Sequence, residues 1–469
     1  MTTNKTTIRT GEKAEVLITG ITHSGAGVGR YHGLAVFIPG TLPGDKVLAE
    51  VLEKKKNYAV ARLLEILEPS SCRLEPQCVH YAACGGCRLQ HVSYKEHLRL
   101  KTGLVQDSLA RIGGLGEVVV GETVGMEHPW HYRNKVHFKV EKQDGRYQLG
   151  FFEEGSHNLT DFFSAGNCRQ PGCLLVDTGL NQLASLCGTL LNKYGGDLER
   201  EPVFFRHLVL RKAFFTGEMM AVVVTGSRDW PREKDFASEL MSQQPGITSL
   251  VRNIHTGLSG EIMGKEFRLL AGRDAIYDRL AHLTFRISPD SFYQVNPLQT
   301  QILYGKAAEY AALTGKETVL DAYSGIGSIA LYLSQQAGKV YGLEVVSAAV
   351  EDARHNAVLN KIGNAEFLAG KVERLLPSLA GQGLRPDVVV LDPPRRGCDQ
   401  EALITVIAME APRLVYVSCD PGTLARDLGY LVGKGYQVRE VQPVDMFPWT
   451  HHVESIVLLQ KQFVTNLRG

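Results

Sequence analysis

Three side chains suited to nucleophilic and acid–base chemistry stand at the ends of apolar, strand-like runs in the C-terminal part of the sequence. Cys419 and Asp392 each follow such a run, and Glu454 comes directly before the final one, residues 455–459. A thiolate can add to an electron-poor carbon, and a carboxylate can accept a proton from the same substrate. A lone cysteine after a strand is usually a core residue, but the neighbouring acids favour a reactive one. We expect these groups to meet at one edge of a sheet.

A glycine-rich turn, Gly325-Ile326-Gly327, follows another apolar run and precedes a helical segment. Glu344 lies nineteen residues after Gly325, at the end of the next run, where an acid can bind ribose hydroxyls. Only G-x-G is present, not the full dinucleotide pattern. This disfavours NAD and favours a cofactor without a pyrophosphate, S-adenosylmethionine.

Cysteine clustering indicates a metal site. Four of the nine cysteines fall between Cys72 and Cys87, and the spacing of Cys78, Cys84 and Cys87 is typical of metal ligands. Soft thiolates without paired histidines suit an iron–sulfur cluster or zinc. Zinc sites usually contain two short Cys-x(2–4)-Cys knuckles, and only Cys84 and Cys87 form one, which favours the cluster.

Several elements must position these residues. Short strands separated by turns predict an OB-type β-barrel over residues 8–68. Within it, residues 25–29 imitate a nucleotide loop, but polar residues precede them and no helix follows, so we interpret them as a turn. A capping-box sequence at Ser93–Glu96 predicts the start of a helix that ends at Gly113. Alternating apolar residues over 119–285 then predict an antiparallel α+β region.

From about residue 286, helical and strand patterns alternate, which is typical of a doubly wound, mostly parallel sheet. We therefore predict a multidomain chain: a barrel (1–68), a central α+β domain with the metal site (69–285) and a C-terminal α/β domain of Rossmann type (286–469). The strands predicted in the last domain are 318–322, 339–343, 387–391, 414–417 and 455–459.

The amino-acid composition excludes some classes of function. With 51 Lys and Arg against 50 Asp and Glu, the net charge of +1 excludes a histone-like cationic binder, so any nucleic-acid site must be a local patch. Residues 128–139 form such a patch, with three cations, three histidines, interleaved aromatics and no acid. We expect its cations to contact RNA phosphates and its aromatics to stack on bases. No signal peptide or membrane-length apolar run is present, which indicates a cytoplasmic protein.

Five motifs carry a family resemblance: FYQVN (292–296), the turn 321–327, DPPR (392–395), SCDP (418–421) and HVE (452–454). With them, and over nearly its whole length, the sequence resembles the uracil-5 RNA methyltransferases, specifically the ribosomal RNA branch with an N-terminal TRAM barrel and an iron–sulfur cluster. Two residues depart from the family pattern: Ser324 replaces a frequent Cys, and Asp420 replaces a frequent Asn and is expected to raise the pKa of the Cys419 thiol.

The resemblance implies roles for individual residues. Cys419 would be the nucleophile and Glu454 the base. It further implies a four-iron four-sulfur cluster on Cys78, Cys84, Cys87 and a distant fourth ligand, which Cys168 matches best and Cys173 second. The residues implied to bind S-adenosylmethionine are Gln294, Tyr323, Ser328, Glu344 and Asp392.

The implied activity is methyl transfer to carbon 5 of a uridine in 23S ribosomal RNA through a covalent cysteine adduct at carbon 6. We expect an RNA substrate, no membrane and a monomer, and the helix from Ser93 is expected to pack on the C-terminal domain. One alternative is a transfer-RNA uracil-5 methyltransferase, a branch that generally lacks the barrel and cluster. Another is a catalytically silent RNA-binding assembly factor, which the intact Cys419, Glu454 and Glu344 disfavour.

Overall fold

The computed structural model describes residues 8–163, 172–198, 204–257 and 261–462 of the chain. These ranges contain a barrel, a central sheet and a C-terminal sheet, each with its own hydrophobic core. No helix in these ranges is long and apolar enough to cross a membrane.

The N-terminal residues form the closed five-stranded barrel that the short strands predict. Alternate side chains of each strand, such as Val16 and Ile18 in the first, point into its core. Segment 25–29 forms no nucleotide loop: Gly25, with positive φ, ends the turn before the second strand, whereas residues 27–29 belong to the strand itself, so the interpretation as a turn is only partly right. The strands close in the order β1-β2-β3-β5-β4, with β1 (Lys13–Ile21), β2 (Gly27–Tyr31), β3 (Leu34–Ile38), β4 (Lys46–Lys54) and β5 (Tyr58–Glu68).

An irregular cysteine-rich segment leads from the barrel to helix α1 (Tyr94–Arg111). Ser93 is the N-cap, but its side chain makes no capping hydrogen bond, and the Glu96 carboxylate accepts from Arg99. The helix start is therefore predicted correctly, whereas the capping box is wrong. Val105 and Leu109 belong to a core shared with the C-terminal sheet, which confirms the expected packing of this helix.

The central sheet has seven strands in the order β12-β11-β10-β9-β6-β7-β8. Asp144 and Gly145, both with positive φ, form the turn of a hairpin. One pair is not antiparallel as predicted: β10 and β11 are parallel, because a helix, α3, crosses between them. The elements are β6 (Lys135–Gln143), β7 (Arg146–Phe152), β8 (Leu159–Asp161), α2 (Thr178–Tyr194), a 3₁₀ turn (Gly196–Leu198), β9 (Phe205–Lys212), β10 (Met219–Thr225), α3 (Glu233–Gln243), β11 (Ile247–Ile254) and β12 (Glu266–Gly272).

The C-terminal domain begins with a hairpin, β13 (Ile276–Leu280) and β14 (Leu283–Ile287). Phe285 and Ile287 share a core with Ile329, so the predicted boundary at residue 285 falls within one packed unit. The elements that follow are α4 (Pro297–Ala311), β15 (Thr318–Asp321), α5 (Ser328–Ser334), β16 (Lys339–Glu344), α6 (Ser347–Leu359), β17 (Ala365–Ala369), α7 (Val372–Gly381), β18 (Val388–Leu391), α8 (Gln400–Ala408), β19 (Arg413–Ser418), α9 (Pro421–Val432), β20 (Tyr436–Val444) and β21 (Glu454–Lys461).

The strands from β15 onward form a doubly wound sheet in the order β17-β16-β15-β18-β19-β21-β20. The first five are parallel, while β21 runs antiparallel to both β19 and β20. All five predicted strands are present. Two strands, β17 and β20, have no counterpart in the prediction.

A close backbone contact joins α1 to α9, the helix that follows Cys419. A Cβ on Gly429 would lie 2.8 Å from the carbonyl oxygen of Gly113, whereas Gly103 in α1 has open space around it. The contact therefore needs glycine at 429 and not at 103.

We predict opposite effects for two Gly→Ala changes. Gly429→Ala should destabilise the protein by about 1–3 kcal/mol, because the helices must separate. Gly103→Ala, the matched control, should stabilise it by about 0.5–1 kcal/mol, because alanine favours the helix. Thermal unfolding measures both, and equal shifts would contradict the packing of α1 on α9.

Candidate active site and cysteine cavity

Cys419 and Glu454 are brought together by the pairing of β19 with β21. The two strands are antiparallel, with Ser418 paired to Ser455. The residue after β19 and the first residue of β21 therefore lie side by side at one edge of the sheet. Glu454 is buried at this edge, and Cys419 is half-buried.

Asp392 joins them from the neighbouring strand, since β18 runs parallel to β19 and ends at the same edge. Burial, and then the charge of Glu454, raise the pKa of Asp392 to about 8. Burial also raises the pKa of Glu454 to about 7, although Arg395 and Lys101 oppose the shift. A carboxyl group with this pKa can accept a proton near neutral pH and release it again.

The Cys419 thiol is held in its neutral form. Burial raises its pKa to about 12, Glu454 and Asp392 add to the shift, and Arg395 opposes it. Asp420 acts in the expected direction but contributes least. Its carboxylate accepts a hydrogen bond from the Thr423 backbone N–H (2.8 Å) and so caps α9, a role that asparagine can also fill.

The glycine turn after β15 is built around Glu344. Gly325 and Gly327 both have positive φ, which glycine adopts without strain. The Glu344 carboxylate accepts from the backbone N–H of Gly325 (3.0 Å) and of Val346 (2.8 Å). Ser328, at the start of α5, shares a hydrogen bond with the Tyr304 hydroxyl (2.8 Å).

Asp321 is a site candidate that the sequence prediction did not include. It is buried at the end of β15, and its Oδ2 has no hydrogen-bond partner. Burial and the charge of Asp392 raise its pKa to about 8. Its position, an acidic residue at the end of an apolar run, is the same signal that identifies Asp392.

The other two predicted cofactor residues, Gln294 and Tyr323, lie on segments next to this edge of the sheet. Gln294 precedes α4 and is half-buried, and its carbonyl accepts from the side chain of Asn134 in the central domain (3.1 Å). Tyr323 lies in the turn after β15, where burial and the neighbouring Cys398 raise the pKa of its hydroxyl.

Four cysteines line one cavity of about 380 Å³ between the cysteine-rich segment and the central sheet: Cys78, Cys84, Cys87 and Cys173. The Gly86 backbone N–H donates to the Cys84 sulfur (3.4 Å). Cys168, the predicted fourth ligand, lies outside the described residues. Within the described ranges, no three His, Cys, Asp or Glu side chains are arranged to hold a single metal ion.

Basic residues of the patch at 128–139 face the same cavity. Lys135 and His137 line it together with Arg133. Burial, then the charge of Arg211, lower the pKa of Lys135 to about 7, with only Asp290 opposing. Burial likewise lowers the pKa of His137, to about 3, so Arg133 is the one residue of these three that is fully charged near pH 7.

The aromatic residues of the patch at 128–139 take part in packing, so the expected base stacking is wrong for the two that are buried, Phe138 and Tyr132. Phe138 points to the helix-covered face of the sheet, because side chains alternate along β6. Tyr132 is buried, and Trp130 stacks on Trp449 with 4.6 Å between ring centroids.

Comparison with known proteins identifies this architecture. The TRAM domain family matches residues 9–64, and the family described as tRNA (Uracil-5-)-methyltransferase matches residues 263–462. An uncharacterized RNA methyltransferase of Halalkalibacterium halodurans is 43% identical over 98% of this chain and 99% of its own. The chain belongs to the uracil-5 RNA methyltransferase family. An uncharacterized RNA methyltransferase of Clostridium tetani is 42% identical over 94% of this chain and 95% of its own.

A solved structure shares the fold. The tRNA (uracil-54, C5)-methyltransferase of Pyrococcus abyssi, in complex with S-adenosyl-L-homocysteine, aligns with a TM-score of 0.73 and 24% identity. The alignment covers 95% of this chain and 99% of that enzyme. Family membership makes the chain an RNA methyltransferase that uses S-adenosylmethionine.

We predict that Glu454→Gln increases the reactivity of Cys419. The substitution removes the negative charge that raises the pKa of the thiol, so the thiolate fraction grows. Alkylation of Cys419 by iodoacetamide at pH 8, followed by mass spectrometry of its peptide, should become several-fold faster. The peptide of Cys72 is the internal control, and an unchanged rate at Cys419 would show that the carboxylate does not act on the thiol.

Proposed function

We propose that the protein transfers a methyl group from S-adenosylmethionine to carbon 5 of a uridine in 23S ribosomal RNA. The observation that carries the proposal is the meeting of a thiol, a basic carboxylate and the glycine turn at one sheet edge. Gln294, Tyr323, Ser328, Glu344 and Asp392 would bind the cofactor, which supplies the electrophilic methyl group.

Cys419 and Glu454 divide the chemistry between them. The Cys419 thiolate would add to carbon 6 of the uracil, and the resulting enolate would place electron density on carbon 5. Carbon 5 would then take the methyl group as its bond to the sulfonium sulfur breaks, with S-adenosylhomocysteine as the leaving group. Glu454 then accepts the carbon 5 proton. The electrons of that C–H bond restore the C5–C6 double bond, and the C6–S bond breaks.

The raised pKa of Cys419 makes thiolate formation depend on the bound partners. In the free enzyme the thiol is neutral near pH 7, since burial and two carboxyl groups oppose its charge. The positive sulfonium of the cofactor would offset that negative charge once it is bound. The reactive uridine must leave its stack to reach the thiol, which implies base flipping.

Basic residues of the patch at 128–139 would contact the RNA backbone where they reach the surface, as exposed His128 and half-buried Lys139 do. Lys135 and His137 line the cysteine cavity, and Arg211, which pairs with Lys135 across the two strands, is buried, so these three would not. Contacts of this type position a nucleic acid without reading its sequence. Specificity would then come from the pocket around the flipped base.

Transfer RNA is the second candidate substrate. The matching family is described by a tRNA enzyme, and the Pyrococcus abyssi structure is also of a tRNA enzyme. That alignment extends over 95% of the present chain, so its fold includes the barrel region. The barrel therefore does not separate the two substrates, and the ribosomal proposal is supported by the sequence motifs alone.

We predict that RNA containing 5-fluorouridine traps the enzyme covalently, because fluorine cannot leave as a cation. With S-adenosylmethionine, a fluorinated 23S rRNA transcript should give an SDS-stable complex with the wild type and none with Cys419→Ala. A fluorinated tRNA transcript, tested in the same way, is the control substrate. Methyl transfer to normal RNA without any trapped complex would refute the adduct, and trapping by tRNA alone would establish the alternative substrate.

We further propose that the cysteine cavity holds a four-iron four-sulfur cluster. A single zinc ion with bonds of about 2.3 Å would draw its thiolates to within about 4 Å of one another. The cavity volume of about 380 Å³ leaves room for a group larger than a single ion. Arg133 lies close enough to Cys87 and Cys173 to offset thiolate charge. The place of Cys173 in the cavity wall favours it over Cys168 as fourth ligand.

We predict that anaerobically purified protein is brown. Cys84→Ser and Cys173→Ser should each abolish the visible absorbance band and the bound iron, while Cys168→Ser should keep both. A colourless protein with bound zinc would refute the cluster. Loss of the band in Cys168→Ser, with the band retained in Cys173→Ser, would reverse the ligand assignment.

The expected cytoplasmic location and monomeric state stay predictions.

A further inference from the structure

The loop that carries Glu454 into the active site closes a hairpin. Residues 445–453 connect β20 to β21, and Val444 is paired with Glu454 across the two strands. Asp445 therefore lies at the base of the hairpin, one residue beyond the partner of Glu454. Any movement of Asp445 acts directly on the strand end that presents the carboxylate.

Asp445 is held by α1, a helix that lies 344 positions earlier in the chain. Both Asp445 and Lys101 are fully buried, and the Lys101 ammonium donates to Asp445 Oδ1 (2.5 Å). The Tyr94 hydroxyl donates to Asp445 Oδ2 (2.8 Å). Lys101 also donates to the Phe447 carbonyl (3.1 Å), so it holds the loop at two points.

Other parts of the chain hold the same loop through its carbonyl groups. The Asn296 side chain donates to the Met446 carbonyl (3.1 Å), and the Tyr132 hydroxyl donates to that of Pro448 (3.2 Å). The backbone N–H groups of Arg88 and Leu89 both donate to Trp449 (3.2 and 3.0 Å). Among these ties the Lys101–Asp445 pair is the one between opposite charges.

A buried ion pair of this kind is costly. Removing two charges from water consumes most of their attraction, so such a pair is on average no more stabilising than apolar side chains. What it provides is orientation, because each charge is unfavourable unless it faces the other. Lys101 also lies close enough to Glu454 for its charge to act on that carboxyl group.

We propose that the Lys101–Asp445 ion pair positions Glu454 for removal of the carbon 5 proton, an inference that rests on the proposed role of Glu454 as the base. Lys101 and Asp445 are positioning residues and touch no substrate atom. Their loss slows the step in which the proton passes from carbon 5 to Glu454 and the C6–S bond breaks. Formation of the bond to Cys419 and methyl transfer precede that step and remain.

The test is the double variant Lys101→Met/Asp445→Asn, which leaves neither charge buried without a partner. With unmodified RNA and labelled S-adenosylmethionine, it should accumulate an SDS-stable protein–RNA complex that carries the transferred methyl group. The kcat should fall about tenfold or more, since misplacing a reacting group by about 1 Å can cost a hundredfold. The KM for RNA should stay within about twofold, because no predicted RNA contact is altered.

Three further variants serve as controls. Lys101→Arg keeps the charge and should recover most of the turnover. Arg252→Met/Glu233→Gln removes another ion pair with a buried arginine, in the central domain, and should lower the thermal unfolding midpoint without accumulation of the complex. Glu454→Gln should accumulate the same methylated complex as the Lys101 double variant.

Two results would overturn the inference. In the first, the kcat of the Lys101→Met/Asp445→Asn variant falls only in proportion to its folded fraction and no methylated complex forms, while Glu454→Gln does accumulate that complex. The other is accumulation of the complex in the Arg252 control to the same extent. If Glu454→Gln itself turns over normally, the proposed base is wrong, and that failure is distinct from failure of the positioning role.

Discussion

The insertion of one antiparallel strand between β19 and β20 is the constraint on which the site depends. In a parallel sheet, residues that follow the strands meet at the carboxyl edge. The final strand enters from that edge in the opposite direction, so its first residue joins them. Glu454 thus reaches Cys419 and Asp392 although it precedes its strand and they follow theirs. Burial at this edge raises the pKa of Asp321, Asp392 and Glu454 alike. The crowding adds to the shift for two of them, since Asp392 acts on Asp321 and Glu454 acts on Asp392.

This edge of the sheet is also where the other parts of the chain converge. The segment directly after Cys87 holds the Trp449 carbonyl, so the wall of the cysteine cavity and the loop before Glu454 share hydrogen bonds. The Gly25 turn of the barrel lies against both Arg88 and His451. Changes in the cysteine cavity can therefore reach the loop before Glu454 through these contacts. The proposed metal site would then have a structural role, since methyl transfer needs no electron transfer.

Sequence patterns predict the fold and the reacting groups where short apolar runs end in polar residues, as at Asp392 and Cys419. They miss β17, in which only Phe367 is buried, and β20, which contains a bulge and Pro443. They also assign Phe138 to RNA, because composition does not tell which face of a strand a helix covers. Lys101 and Asp445 give no signal at all: each is an ordinary charged residue until the fold buries them together.

The loop at residues 445–453 is held by residues that lie outside the matched methyltransferase domain. Residues 263–462, which match the methyltransferase family, contain Cys419, the proposed base Glu454 and the glycine turn, so this range resembles a separable unit. Yet Tyr94, Lys101 and Tyr132, which hold its catalytic loop, all lie outside it. If this half were transplanted onto another RNA-binding scaffold, Asp445 would be buried without a counter-charge. A transplant that keeps the loop in place would therefore have to include α1 and the cysteine-rich segment together with residues 263–462.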